Sequence, residues 1–511
     1  MGSFLVELVL AGATAISAPL APLTSALLAE AKAPLTTAVQ SSHLGETIDR
    51  ILDHKRLATA TIGVVVIDTA NGEVLYSRNP DTPVNPASNI KLLTTAAALS
   101  ILGPEHRYVT RLFVRRDALR GDTIHGDLYL KGGGDPWLVT GDLYELAGDL
   151  HALGVRRITG GIIIDSSAFD RDELPPVYDQ KDEFASYRAM SSAASVNFNT
   201  FVVHMYPGSA LGQAATVSLD PALPSITLQS KTATVEGRRN QALVSREIDR
   251  EGGLSLNFSG SLGIDAAVAH FRYPVADPSK NAGAILALVL GQRGIRIGKG
   301  AIRKATVPKG ARALLSRASR PLSALCRGVN KHSNNFMAEQ ILKTLDLHDE
   351  RPATFEGALA RVREHLEGLG IESEGLQLKN GSGLYDANRI TASQLAQLLV
   401  ATYNDFRVSS DFLASLPISG VDGTMRRRLR DSAATRYVRA KTGTLNESSA
   451  LSGYAGAPSR PPIAFSILIG EISRGKTQLA RSVQNQIAEE LAALAARRAR
   501  GPRATSNSDL R

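Results

Sequence analysis

One cysteine, Cys326, in 511 residues excludes an internal disulfide and any thiolate-rich metal site. Histidine is also sparse, with ten residues and no H-E-x-x-H or paired-ligand spacing, which disfavours a zinc hydrolase. No metal and no cofactor is expected. Aromatic residues make up only 5% of the chain, the basic residues are scattered, and the order of elements contains no nucleic-acid module, so no nucleic-acid partner is expected. Beyond the N-terminal stretch, no run of residues is long and apolar enough for a transmembrane helix. The nucleophile-elbow pattern G-x-S-x-G is absent as well. The glycine-rich run Lys131-Gly132-Gly133-Gly134-Asp135-Pro136-Trp137 lacks the lysine-serine end of a phosphate-binding loop and reads as a structural turn.

What is present is the composition of a soluble globular protein, 43% hydrophobic and 21% charged. The length calls for about two or three domains. A formal net charge of +9 favours peripheral contact with an anionic membrane surface or an acidic cell-wall polymer. Phe4 to Ile16 resembles the apolar core of a secretory leader, and small-residue sites such as Ala29-Glu30-Ala31 follow it. Glu7 interrupts that core and no basic residue precedes it, but the expectation is a signal-like leader over 1–31 and an extracytoplasmic, periplasmic location.

Along the chain, Gly45 to His54 reads as an amphipathic helix. Thr61 to Asp68 is a buried strand joined through Asn71-Gly72 to a partner over Glu73 to Ser77. After Gly103-Pro104 the texture changes to short strands, with one helix at Leu143 to Leu153. The expectation is an inserted β-rich region over 109–272, formed of two nested domains, ending at the linker Tyr273 to Pro278. Helices then dominate: Ala282 to Gly291, Pro321 to Asn330, Phe336 to Leu342, Thr354 to Leu369, Thr391 to Tyr403 and a short basic one over Met425 to Leu429. Strands at Tyr437 to Leu445, Ala450 to Ala455 and Ile463 to Gly470 precede a last helix over Thr477 to Ala496. A disordered basic tail is expected over 497–511.

The chemistry centres on Pro86-Ala87-Ser88-Asn89-Ile90-Lys91-Leu92-Leu93, a tight turn feeding a nearly all-apolar helix. Residues three apart on a helix lie about 5–6 Å apart at Cβ, so Ser88 and Lys91 share a face. A helix apolar all round is buried, and burial penalises an ammonium, so Lys91 is suited to take a proton from Ser88. The helix N-terminus favours a developing oxyanion at Ser88. An isolated Ser-x-x-Lys is commonly no more than a capping serine and an exposed lysine. Ser473-Arg474-Gly475-Lys476 is such a case, broken by its glycine.

Two further patterns follow in order, Ser333-Asn334-Asn335 between two helices and Lys441-Thr442-Gly443 on a strand. Ser-x-Asn also occurs at Ser195, Ser255 and Ser279, so the second pattern is weak alone, whereas Lys-Thr-Gly occurs once. The ordered set, with the flanks Asn380-Gly381-Ser382-Gly383-Leu384, Asn388-Arg389-Ile390-Thr391 and Gly420-Val421-Asp422-Gly423-Thr424 and the long insertion, resembles the D-alanyl-D-alanine carboxypeptidase/endopeptidase class of low-molecular-mass penicillin-binding proteins (class C). The resemblance spans Gly45 to Ala496. It implies an α/β (α+β) fold with a β-lactamase/transpeptidase-like catalytic domain over 45–108 and 273–496, an antiparallel sheet flanked by helices.

The resemblance also implies roles. Ser88 attacks the carbonyl between two D-alanines of a peptidoglycan stem peptide, or a β-lactam inhibitor, and Lys91 takes its proton. Ser333 with Lys441 relays a proton to the leaving amine, and Asn335 holds the substrate amide. Lys441, Thr442 and Thr444 hold the terminal carboxylate, and the amides of Ser88 and Thr444 form the oxyanion hole. Gly443 lets an extended peptide approach the strand. Asn334 replaces the Asp of the general motif, at a position that does not carry the chemistry. Ser382 and His332 have no partner pattern and are not expected in the site. Two alternatives stay open on the sequence: a serine β-lactamase, which uses the same three patterns but lacks a β-rich insertion of this size, and a non-enzymatic β-lactam or peptidoglycan sensor, which would need a transmembrane segment and an extra domain.

Overall fold

The computed structural model describes residues 43–249, 253–348 and 350–500. The expected leader over 1–31 and the tail beyond Arg500 lie outside the described residues. Among the described residues no helix is long and apolar enough to cross a membrane.

The described residues open with helix α1 (His43–Leu52) and the strands β1 (Thr61–Asp68) and β2 (Val74–Arg78). Helix α2 (Ile90–Leu102) follows, and after the insertion come α3 (Leu322–His332), α4 (Asn335–Thr344), α5 (Phe355–Gly368) and α6 (Ala392–Asn404). Strands β3 (Val438–Leu445), β4 (Ser448–Ala457) and β5 (Arg460–Gly470) precede the last helix, α7 (Thr477–Arg500). The five strands form one antiparallel sheet in the order β3-β4-β5-β1-β2.

Strand side chains alternate between faces, and here both faces are covered. Val65 and Ile67 of β1 pack into the core built with α2 to α6. Their neighbours Val64 and Val66 pack into a second core shared with α1 and α7. That is why β1 reads as an unbroken apolar run rather than an alternating one. The fold is the expected one, an antiparallel sheet flanked by helices with further sheets inserted.

The insertion is longer than the sequence suggested. Strand Arg312–Ala318 pairs antiparallel with Val109–Val114, and Arg303–Lys304 pairs with the strand Ile162–Asp165. Helix Pro278–Gln292 shares an apolar core with helix Thr140–Ala152. The segment 278–318, assigned above to the catalytic domain, is therefore part of the inserted sheets and helices. A helical period tells that one face is buried but not against which core, and the Tyr273 to Pro278 linker leaves only an inner unit. That inner unit has its own sheets, among them Thr216–Asp220, Thr200–Tyr206 and Ala269–Pro274 in that order, and its own core around Phe201, Met205, Leu256 and Phe258.

Two local expectations also change. No α-helix forms over Met425 to Leu429; a 3-10 turn Gly423–Met425 gives way to turns, with Met425 and Leu429 both drawn into the α1/α7 core and Leu429 at φ +55°. The last helix continues to Arg500, where Arg498 reaches back to Asp68 on β1, so residues 497–500 are helical rather than tail.

Candidate active site

Ser88 lies in a 3-10 turn, Ala87–Asn89, that leads directly into α2. The turn is fixed by its neighbours. Ala87 sits in the left-handed region at φ +48°, which a residue with a Cβ adopts only under constraint. Its amide donates to Asn85 Oδ1 at 2.9 Å, and Asn89 Nδ2 donates to Ser452 Oγ on β4 at 2.8 Å. Helix α2 is buried on all sides from Ile90 to Leu99 and carries Lys91 with it to complete burial.

Lys91 Nζ lies 3.0 Å from Ser88 Oγ, 2.8 Å from Asn335 Oδ1 and 2.5 Å from the carbonyl oxygen of Ser382. Burial pushes the Lys91 ammonium down to about 7, against a smaller opposing pull from Glu339. Ser333 ends α3 in the left-handed conformation, and Asn334 then caps α4 by accepting from Met337 N at 3.0 Å. An Asp or an Asn fills that cap equally well, which accounts for Asn334 in the middle position. Lys331, one residue beyond the helix expected over Pro321 to Asn330, is within α3, where its Nζ meets Asp422 and the Leu416 carbonyl.

Lys441 Nζ donates to Ser333 Oγ at 2.9 Å and to its neighbour's carbonyl, Thr442 O, at 2.7 Å. It is completely buried, and desolvation, then the like charge of Lys91, hold it well below the usual lysine range. The three sequence patterns thus converge as two linked pairs, Ser88 with Lys91 and Ser333 with Lys441. Asn335, two residues past Ser333, touches the first pair.

Strand β3 is one of the two edges of the sheet. Ser419 N donates to Val438 O and Ala440 N donates to Pro417 O, so 417–419 covers the first part of that edge. With a period of two, the amides and carbonyls of Thr442 and Thr444 face the same, now open, side. Thr442 Oγ1 meets Thr424 Oγ1 at 2.8 Å, and the exposed Thr444 hydroxyl accepts from Arg481 Nη2 at 3.1 Å. A cleft of about 1190 Å³ runs past Thr444, with Tyr187, Glu183, Tyr385 and Arg481 among its walls.

One expectation needs correction. The missing side chain of Gly443 does not make room for a peptide: a Cβ there would lie 2.5 Å from Pro86 O and 3.2 Å from Ala87 Cβ. The glycine lets β3 pack against the Ser88 turn. Gly443→Ala should therefore displace that turn and cost about 1–3 kcal/mol, read as a lower midpoint in denaturant unfolding together with slower acylation by a penicillin; an unchanged midpoint would refute the packing role. Asn335, expected to hold substrate, accepts from Lys91 through Oδ1 and donates one Nδ2 hydrogen to Tyr187 O at 3.2 Å, which leaves its second N–H for the substrate amide.

Sequence reasoning also missed Ser382, whose backbone oxygen rather than its hydroxyl reaches Lys91. A backbone acceptor leaves no side-chain signature; the only signal was the Asn380-Gly381-Ser382-Gly383 run itself. Gly383, at φ +76°, brings that run so close that a Cβ would fall 1.8 Å from Ala87 O. His332 is exposed and stands apart from these contacts.

The chain is 36% identical to a D-alanyl-D-alanine carboxypeptidase of Actinomadura sp. (strain R39), covering 96% of this chain and 93% of that one. It is 24% identical to the D-alanyl-D-alanine carboxypeptidase DacB of Haemophilus influenzae, over 83% of this chain and 89% of the relative. The crystal structure of penicillin binding protein 4 (dacB) from Haemophilus influenzae superposes with a TM-score of 0.73 at 23% identity, covering 88% of this chain and 98% of that chain. The same protein has been solved in complex with a β-lactam, and that structure matches with a TM-score of 0.69 at 22% identity, covering 88% of this chain and 99% of that chain. Residues 44–494 match the D-Ala-D-Ala carboxypeptidase 3 (S13) family, and the chain belongs to it.

Proposed function

We propose that this D-Ala-D-Ala carboxypeptidase works through an acyl-enzyme on Ser88, with peptidoglycan stem peptides as substrates and β-lactams as acylating inhibitors. The observation that carries the reading is the set of partners around Lys91. A neutral amine has two N–H donors and one lone pair. Asn335 Oδ1 and Ser382 O can only accept, so they take both donors and leave the lone pair toward Ser88. The Ser88 hydroxyl is then the partner that donates, which is the arrangement a general base needs.

In the reaction, the Ser88 oxygen bonds to the carbonyl carbon between the two D-alanines while Lys91 takes the hydroxyl proton. The C–N bond breaks as Ser333, backed by Lys441, delivers a proton to the departing amine of D-alanine. The amides of Ser88 and Thr444 hold the oxyanion, each such donor being worth about 10²–10³ in rate. Thr442 and Thr444 receive the terminal carboxylate on the open edge of β3. Water then cleaves the ester. A substrate in the cell wall places the enzyme outside the cytoplasm, and the net charge of +9 suits peripheral contact with anionic wall polymer or membrane surface.

Incubation with a muropeptide ending in D-Ala-D-Ala, followed by mass spectrometry, tests this. The expected result is release of one D-alanine and, with penicillin, an adduct on Ser88 that hydrolyses slowly. Rapid turnover of penicillin with an intact muropeptide would instead identify a β-lactamase. A cross-linked dimeric muropeptide in the same assay reads endopeptidase cleavage directly.

A further inference from the structure

Behind Lys91 lies a carboxylate that the reaction above does not use. Glu339, on α4, is completely buried and accepts from the amides of Gly381 at 3.0 Å and Ser382 at 2.8 Å. Its third donor is the hydroxyl of Tyr178 at 3.4 Å, itself fully buried and 2.8 Å from Ser382 Oγ. Tyr178 has one proton and gives it to Glu339, so Ser382 Oγ, which also accepts from Leu384 N, is the donor to Tyr178, and the chain runs from Ser382 through Tyr178 to Glu339. Burial raises the Glu339 carboxyl above its usual range, and the donors that face both of its oxygens, together with Lys91, pull it back toward the ionised form.

The geometry holds one peptide in place. Glu339 grips the amides of 381 and 382, Thr94 on α2 donates to Gly381 O at 2.8 Å, and the Ser382 carbonyl is thereby aimed at Lys91. Tyr178 comes from the inserted region, whose Tyr187 carbonyl also accepts from Asn335, the other acceptor of Lys91. We infer that Glu339 and Tyr178 are positioning residues for Lys91, acting through the Gly381-Ser382 peptide, so that the inserted region forms part of the acylation machinery.

This rests on Lys91 being the base. The titratable groups facing Lys91 among the described residues are Glu339 and Lys441, with Tyr178 behind Glu339. Glu339→Gln keeps the size but removes the charge and one acceptor. It should slow acylation by a fluorescent penicillin about tenfold or more, leave the dissociation constant of the initial complex unchanged, and move the acid limb of the acylation profile about one pH unit toward acid. The shift has this sign because the carboxylate favours the ammonium form of Lys91. A rate within twofold of the parent, or a slower rate with the acid limb unmoved, would overturn the assignment. Should Glu339→Gln fail to fold, Tyr178→Phe decides: about threefold or greater slowing supports the inference, and an unchanged rate refutes it. A parallel Lys91→Ala measurement separates the two levels. Normal acylation there removes the base assignment itself, whereas loss there with normal Glu339→Gln removes only the positioning role.

Discussion

Ser88→Ala yields no covalent band with a fluorescent penicillin, while the unfolding midpoint stays close to that of the parent. Ser88 is half-buried, and its hydroxyl is the only group the substitution removes. Lys91 keeps Asn335 and the Ser382 carbonyl as partners, so the buried amine is not stranded. The loss of one hydrogen bond of this kind costs about 1 kcal/mol, too little to unfold a domain with two apolar cores. Acylation, by contrast, has no substitute oxygen. Labelling that persists in Ser88→Ala would remove Ser88 as the nucleophile.

Lys91→Ala slows acylation by about 10²–10⁴, the range over which a positioned general base contributes, without abolishing binding of the penicillin. The parent enzyme also has a defined pH dependence. Only the free amine accepts the Ser88 proton, and burial holds its titration near 7. The acylation rate therefore climbs as pH rises through 7 and levels above it. At pH 5 it should stand at about one-hundredth of the plateau. In Lys91→Ala that limb disappears. A flat profile in the parent, or a variant acylating at near-normal rate, would refute the assignment.

Much of this site could be read in the sequence because its side chains obey short-range geometry. The three-residue spacing of Ser88 and Lys91 on an apolar helix is enough to place them in contact, and the structure does so. Ser333 before a capping Asn334, and Lys441 on a strand, are positions that local structure fixes. What could not be read is set by long-range approach. The Ser382 carbonyl, the Glu339 carboxylate and the packing of Gly443 against Pro86 depend on segments tens to hundreds of residues apart meeting in space, and none carries a local periodicity. The end of the insertion was hidden for the same reason: helix Pro278–Gln292 has an apolar face, but only its partner helix shows which core receives it.

The short cover over the first part of β3 has a consequence for self-association. Unpaired strand edges recruit other chains, and an active site that depends on an open edge carries that hazard. Here 417–419 occupies the groups at Val438 and Ala440, leaving those of Thr442 and Thr444 as the outward-facing hydrogen-bonding groups of the open stretch. These few groups, of which Thr442 O already accepts from Lys441 Nζ, can seat a short peptide terminus, but they are too few to template a strand from another copy of the chain.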